Sequence, residues 1–325
     1  MDGVGSHATT DRLIKKAREK NLKIETLTIV NLARRWEDKL AKNEFKSGAS
    51  AMAAIEKARK LLASKKVDLV VIRGEDLLRT GYAPGEREKF MKLYDHEHTP
   101  LEGYNELVPL FLQKHKLSEE KFFEIRDLLF QNYARTWKKK LPDERWFRPL
   151  TKYFRGVDCA NPNIDYSGQI ILSSKKTPGS VEIIGNAFVK LSVDGYESLP
   201  KIAPYLHLKR AITKAETEAK ISFKKKFLTG SALLDAYTCY PVVPMGLIYR
   251  LGLVKKMEDI PALLEDHAVT VTGGLNLGKA PWNLTSLNAL IVMREKLLAS
   301  KKFHYGLVHG NGSLGNQQGI TILRR

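Results

Sequence analysis

Few residues in this chain of 325 amino acids combine a reactive side chain with a setting that could use it. Its two cysteines are Cys159 and Cys239. A buried cysteine usually serves as a small hydrophobe, and nucleophilic use requires the thiolate. Asp95-His96-Glu97-His98 sets metal-ligand types side by side. Two histidines two apart, with no third ligand near in sequence, fall short of a zinc set, so a solvated loop and no metal are expected. The other candidates lie in the last third: Tyr237, Cys239 and Tyr240 in DAYTCYP, Lys279 in GLNLGKAPWN, and His309 with Asn311 in HYGLVHGNGS. A phenol can donate to a substrate oxygen, an imidazole can act as acid or base near neutral pH, and an ammonium can meet a phosphate. Each also has an ordinary structural role: tyrosine at a strand end, histidine bonded to backbone in a turn, lysine in solvent. Gly273-Gly274 and Gly310-x-Gly312 flank these residues, just after β-branched runs. Glycine there allows positive φ or a close approach of something else. Two such turns can meet at one end of a buried sheet, where α/β folds keep their sites.

The elements that must position these residues follow from periodicity. A basic helix is expected over Asp11 to Lys20, a strand over Leu22 to Ala33, and a small-residue helix over Ala49 to Ser64. Val67 to Asp76 reads as a strand covered on both faces. Residues 80–150 form a helical excursion with helices over Tyr104 to His115 and Ser118 to Trp137, the second opening on Ser118 with acidic residues in its first turn. Asn163 to Ser174 is expected to be a strand pair or a bent strand with Gly168 at the bend. A second half then starts near Thr177. It has a strand in SVEIIGNAFVKLS, a helix over Leu206 to Lys220, a strand over Ser231 to Pro241, and a helix in PMGLIYRLGL closed by Gly252. From Val269 onward the pattern is strand, glycine turn, helix, strand, glycine turn, strand. No repeat of 20–50 residues is visible, but both halves show a strand, a Gly/Ser turn, an Ala-rich helix and a strand. Residues 1–176 and 177–325 are therefore read as two halves of one unit.

Composition excludes several classes. No run approaches the roughly 20 apolar residues of a membrane span. Two cysteines cannot build a disulfide scaffold or a four-cysteine zinc site. The N-terminus MDGVGSHATTDRLIKK lacks an apolar signal core, so a cytoplasmic setting is expected. The formal charge of +18 lies in short, dispersed clusters such as Lys15-Lys16, Lys138 to Lys140 and Lys224 to Lys226. Such runs are ordinarily solvated faces. No helix-turn-helix, zinc-finger or RNA-binding motif accompanies them, so nucleic acid is not expected; an anionic small molecule fits the charge equally well.

Five stretches occur in an order and spacing that resemble the thiolase superfamily. They are VNLARRW (Val30 to Trp36), the segment from Ser47 to Gly81, DAYTCYPV (Asp235 to Val242), TGGLNLGKAPWN (Thr272 to Asn283) and GLVHGNGSLGNQQGI (Gly306 to Ile320). The likeness is to the acetyl-CoA acetyltransferase-like branch, the lipid-transfer or sterol-carrier-type thiolases, and runs from about residue 25 to the C-terminus. It implies an α/β fold of two similar βαβαβαββ halves, packed in five layers α/β/α/β/α with a helical excursion in the first. It also implies acyl-CoA or CoA as ligand with no permanently bound cofactor, a homodimer, and a small OB-fold partner such as some members use.

The resemblance places the reactive positions unfavourably. The nucleophile's C-x-S-G pattern falls on Phe45-Lys46-Ser47-Gly48, and Phe45 has no lone pair to attack with. The loop that positions a catalytic water falls on Tyr237 to Tyr240, with Cys239 matching a non-catalytic cysteine. The Gly-His-Pro loop falls on Lys279-Ala280-Pro281 and the final Cys-x-Gly on Gly310-Asn311-Gly312. An acyl-CoA-type ligand binder without cysteine-dependent thiolase chemistry is therefore expected. Gly273, Gly274, Lys279, Gly310, Asn311 and Gly312 would shape its pocket, with backbone N–H donors to a thioester oxygen. Two alternatives stay open. One is a CoA-ester lyase or other acyltransferase with Tyr240 and His309 as acid and base and Cys239 as a replacement nucleophile. The other is a non-enzymatic interaction protein with a basic surface. Members of the superfamily also begin with a strand and helix before the VNL strand, little of which fits in residues 1–21, so a minimal or truncated first half is expected.

Overall fold

A computed structural model of the chain describes residues 7–34, 38–92, 98–177, 179–193 and 195–325. The strands are β1 (Ile24–Ile29), β2 (Glu44–Phe45), β3 (Leu69–Leu77), β4 (Asp165–Ser173), β5 (Glu182–Lys190), β6 (Ala232–Asp235), β7 (Tyr305–Gly312) and β8 (Gln317–Arg324). The longer helices are α1 (His7–Glu19), α2 (Ser50–Ala63), α4 (Pro100–His115), α5 (Glu119–Trp137), α7 (Leu206–Ala219), α9 (Val242–Arg250) and α12 (Thr285–Ala299). Between them lie the short α3 (Glu86–Phe90), α6 (Leu199–Ile202), α8 (Phe223–Leu228), α10 (Ile260–Asp266) and α11 (Gly274–Leu277). No helix among the described residues is long and apolar enough to cross a membrane.

Two four-stranded sheets have the orders β2-β1-β3-β4 and β5-β8-β7-β6. In the first, β1 runs parallel to β2 and β3, and β4 returns antiparallel. In the second, β6 and β7 are parallel and β8 is antiparallel to both of its neighbours. Helices α2 and α12 lie between the sheets, α2 touching β1 and β3 on one side and β5, β7 and β8 on the other. With α1 against β4 and α7 against β5 and β8, these make the five layers expected.

Small residues on α2 explain how a helix fits between two sheets. Ala51, Ala54 and Ala58 are fully buried with Met52 and Ile55. The facing glycines are needed for proximity: a Cβ on Gly310 would stand 2.9 Å from Ala49 Cα, and one on Gly319 would stand 2.7 Å from Met52 Cγ. One apolar cluster fills this inter-sheet space. A second joins the excursion helices α4 and α5 to α7, α9 and α10, so the excursion packs into the core of the second half. Helix α5 starts as the sequence indicates, while α4 starts one turn before the expected Tyr104. Ser118 caps α5 by accepting from Lys121 N–H at 3.1 Å. Thr99 and Glu102 form a reciprocal capping box at α4.

Three local expectations change. Residues 269–272 are loop, not strand. Side chains satisfy that backbone instead of a ladder: Asn132 Oδ1 accepts from Val269 N–H at 3.0 Å, and Asp235 Oδ1 accepts from Val271 N–H at 2.8 Å and Thr272 N–H at 3.0 Å. Gly168 makes no bend. It sits in register opposite Gly74 within a continuous β4, where a side chain would meet the Tyr166 ring. Gly310 and Gly312 belong to β7 rather than to a turn, and the turn that follows spans residues 313–316.

Candidate functional site

A cavity of about 190 Å³ opens where four loops and two helices converge. The start of α2 contributes Ser47 and Gly48; the loop after β6 contributes Tyr237, Cys239 and Tyr240; residues 280–283 add Ala280, Pro281, Trp282 and Asn283; the end of β7 adds Asn311 and Ser313. Tyr104 from α4 closes one side, with Ala160, Pro162 and Leu275 beside it. The cavity thus draws on both halves and on the excursion.

Each wall is held by bonds that the local sequence supplies. Ser47 carries φ of +143°, a conformation costly for a residue with a Cβ. Its carbonyl accepts from Ser50 N–H at 3.0 Å and from the Ser50 hydroxyl at 2.5 Å, standing in for a side-chain cap on α2. Gly48 is glycine because Asn311 O and the Tyr237 hydroxyl press on it: an added Cβ would lie 2.2 and 2.3 Å from them. The Tyr237–Tyr240 loop is tied to its neighbours by Ala160 N–H donating to Cys239 O at 2.8 Å, and by Leu275 N–H donating to the Thr238 hydroxyl at 2.8 Å. Asn283 reaches back to the first half, donating to Val30 O at 2.9 Å.

The polar groups form one neutral chain. Asn311 Nδ2 donates to the Tyr104 hydroxyl at 2.8 Å, and Cys239 Sγ lies 3.5 Å from the same oxygen. Asn311 Oδ1 accepts from Gln318 Nε2 at 2.7 Å, and Gln318 Oε1 meets His309 Nε2 at 2.7 Å. His309 Nδ1 faces Tyr237 N–H at 3.4 Å. Because Nδ1 faces a donor, the proton sits on Nε2, which donates to Gln318. Tyr104 and Tyr240 stack with centroids 4.2 Å apart, and Phe154 backs Tyr240 at 5.1 Å.

Burial sets the protonation states. It pushes the Cys239 thiol up to about 12, so the sulfur is a neutral thiol at physiological pH. It holds the His309 imidazole down to about 4, against the bond to Gln318 that favours the cation. The phenols of Tyr104, Tyr237 and Tyr240 are all raised, in each case first by burial. Among the described residues, no carboxylate, imidazole or ammonium side chain lines the cavity.

The structure brings Tyr240, Cys239 and Asn311 together at the wall and sets His309 behind it. Gly312 packs against Ser47, whose Cβ and Oγ would each lie 2.8 Å from an added side chain, and Gly310 packs against α2. Gly273 and Gly274 adopt φ of +83° and +76° and shape the approach to α11, with Gly273 against Trp137. Lys279, also at positive φ, is exposed one residue before the wall. Phe45 packs its ring against the inter-sheet core and does not line the cavity. Tyr104 and Ser47 were not among the candidates. Tyr104 comes from a distant helix, and Ser47 is marked only by its place before Gly48. Among the described residues, no group of three or more His, Cys, Asp or Glu could hold a metal ion. Asp95, His96 and Glu97 lie outside the described residues; the His98 ring tilts against Tyr196 at 4.9 Å.

No protein-family model matches the sequence, and no curated protein matches it. Solved structures do match in fold. A monomeric SCP2-thiolase like protein type 1 from Mycobacterium smegmatis is 17% identical with a TM-score of 0.68, the match covering 95% of this chain and 69% of that one. An Ltp2-ChsH2(DUF35) aldolase is 11% identical with a TM-score of 0.63, covering 93% and 87%. An acetyl-CoA acetyltransferase from Syntrophomonas wolfei is 14% identical with a TM-score of 0.58, covering 94% and 88%. At these identities the likeness establishes architecture and not reaction. With its two sheets, its buried α2 and α12 and the loops that converge on one cavity, the chain has the thiolase-like fold.

Proposed function

We propose that the protein binds an acyl-CoA-type ligand in this cavity and does not turn it over by cysteine-dependent thiolase chemistry. The observation that carries the reading is the cavity wall itself. It offers phenol, amide, hydroxyl and thiol groups to a carbonyl or thioester and, among the described residues, no side chain that is a base or an anionic nucleophile at neutral pH. By the resemblance, Phe45 holds the nucleophile's place and Ala280 and Gly310 those of the two groups that would move protons; of these three, Ala280 lines the cavity. Burial keeps Cys239 a neutral thiol, outweighing the Tyr104 hydroxyl and the backbone N–H groups beside it that favour the thiolate. Asn311 and Tyr104, locked to each other, would orient the acyl carbonyl. The excess of cations over the chain suits the ligand's phosphates, with Lys46, Lys92 and Lys279 each next in sequence to a wall residue.

The lyase alternative would pair Tyr240 with His309, and one similar structure is described as an aldolase with a DUF35 component. Tyr240 has the position for it. His309 has both ring nitrogens engaged away from the cavity, which favours binding over turnover.

The test is calorimetric titration with acetyl-CoA, a longer acyl-CoA and free CoA, followed by mass spectrometry of each mixture. Acyl-CoA binding with an unaltered thioester is expected. A cleaved or transferred thioester would replace this reading with an enzymatic one, and absence of binding to all three would overturn it. Sedimentation of the same samples tests the homodimer and, with an added DUF35-type protein, the partner.

A further inference from the structure

The chain between α5 and the cavity wall carries a surface that neither the fold nor the cavity uses. Most large apolar side chains left exposed are scattered singly, as on any soluble protein. Leu141, Trp146, Phe147 and Leu150 instead fall in one short segment, exposed to 47%, 36%, 36% and 56%. Lys138, Lys139, Lys140, Arg145 and Arg148 alternate with them, opposed only by Asp143 and Glu144 within the segment. No ion pair to any of these five cations is seen among the described residues. Lys139 lies over the Trp137 ring at 4.7 Å, and Arg145 over Trp146 at 5.5 Å, so cations and rings share the surface.

The segment is built rather than loose. Trp146 backs onto Gly156, where a Cβ would stand 2.8 Å from its ring, and Phe147 sets its edge against Phe130 at 5.3 Å. Leu150 N–H donates to Phe154 O at 2.8 Å, and Pro149 bridges to Arg155. The anchoring holds one side of each aromatic and leaves the remainder, with both leucines, in water.

From this we infer that the face formed by residues 138–150 docks on an anionic lipid surface. Trp, Phe and Leu interleaved with Lys and Arg is the pattern of interfacial binding: the apolar tips enter the headgroup–acyl boundary and the cations meet lipid phosphates. A single-stranded nucleic acid would use the aromatics and cations, but Leu141 and Leu150 have no π face on which a base can stack. An acidic protein would leave the same aliphatic tips to find a matching apolar pocket. The inference is independent of the ligand proposed for the cavity. It gives the protein a place to meet an amphiphile, since the chain runs from this segment directly into the wall at Ala160 and Pro162.

The experiment is co-sedimentation of the full chain with phosphatidylcholine vesicles and with vesicles also containing phosphatidylserine, at low and physiological salt. Partitioning is expected to rise with the anionic lipid and to fall with salt. Leu141→Asp with Leu150→Asp should weaken it at least about tenfold, since each leucine tip would otherwise leave water. Arg145→Gln with Arg148→Gln should weaken it about fivefold per residue. All four positions are exposed, so the variants should keep the wild-type circular dichroism. Leu206→Asp, at a 57% exposed leucine elsewhere, should bind as wild type. No partitioning at low salt would overturn the inference, as would partitioning that the segment variants leave unchanged or that Leu206→Asp reduces equally. Binding of single-stranded RNA without vesicle binding would assign the face to nucleic acid and overturn it too.

Discussion

Replacing His309 by glutamine is expected to change how stability depends on pH, and the change can be worked from the site. Nδ1 of His309 faces Tyr237 N–H, so protonation would set a donor against a donor in a buried space. Burial holds the folded imidazole down to about 4, against about 6.5 for a free one. A depressed folded value means that its stabilising share is complete above 6.5 and is lost as pH falls towards 4. At about 1.4 kcal/mol per unit, that share is on the order of 3 kcal/mol. His207 behaves alike, its imidazole held to about 4 by burial although Nε2 bonds Gly315 O at 2.6 Å. Asp235 works in the opposite sense. Burial raises it to about 6 against three donors that pull it down, so its share is present below 3.8 and lost as pH rises to about 6. Asp76, raised by burial while it holds Leu32 N–H and the Tyr82 hydroxyl, adds to that sense. Between pH 4.5 and 6 each of the two histidines binds up to about one proton more in the unfolded chain, a slope of up to about 1.4 kcal/mol per unit apiece. His309→Gln keeps a donor for Gln318 and removes one titration, so its slope should be lower by about that amount. Urea unfolding at half-unit pH steps measures both proteins, and the difference between them cancels the surface carboxylates. Parallel curves from pH 4.5 to 6.5 would refute the neutral, donor-facing imidazole.

Other variants test the scaffold around the cavity. Asn132→Ala leaves His267 O and Val269 N–H without these partners and Leu264 O with Arg135 alone, and should cost about 2 kcal/mol in urea unfolding; a loss well under 1 kcal/mol would show that the loop over residues 267–272 is not held by this amide. Gly48→Ala puts a Cβ 2.2 Å from Asn311 O, so the wall must part. We expect a stability loss of about 1–3 kcal/mol and no measurable acyl-CoA binding, and unchanged calorimetric titration would contradict the packing described. Phe45→Cys should form no acyl-enzyme when incubated with acetyl-CoA and analysed by intact-mass spectrometry. A cysteine there gains neither a cavity position nor a base; an acetyl adduct would show the opposite.

Periodicity made the scaffold legible and hid the site. Helix α2 could be read because its alanines are local, and α5 because Ser118 and the acidic residues of its first turn are adjacent; the first turn of α4, capped by Thr99, was not read. The loop over residues 269–272 could not, because its β-branched run looks like a strand while its partners are Asp235 and Asn132, far off in sequence. Taking Gly310-x-Gly312 for a turn had a larger effect. Once Gly310 is placed inside β7, residues two apart share a face. His309 and Asn311 then point the same way, and Gln318, paired with Asn311 across the ladder, falls between them. The His309–Gln318–Asn311 chain thus follows from strand alternation alone. Its last link to Tyr104 does not, since nothing local signals that an excursion helix will set a phenol 2.8 Å from Asn311. Gly310 and Gly319, which fit α2 between the sheets, stand at positions where any Cβ would collide, while Tyr104, Cys239 and Tyr240 border an open cavity. Backbone proximity leaves those glycines no latitude. A cavity wall accepts any side chain that packs, which is how this architecture can line its pocket with a neutral phenol–amide network.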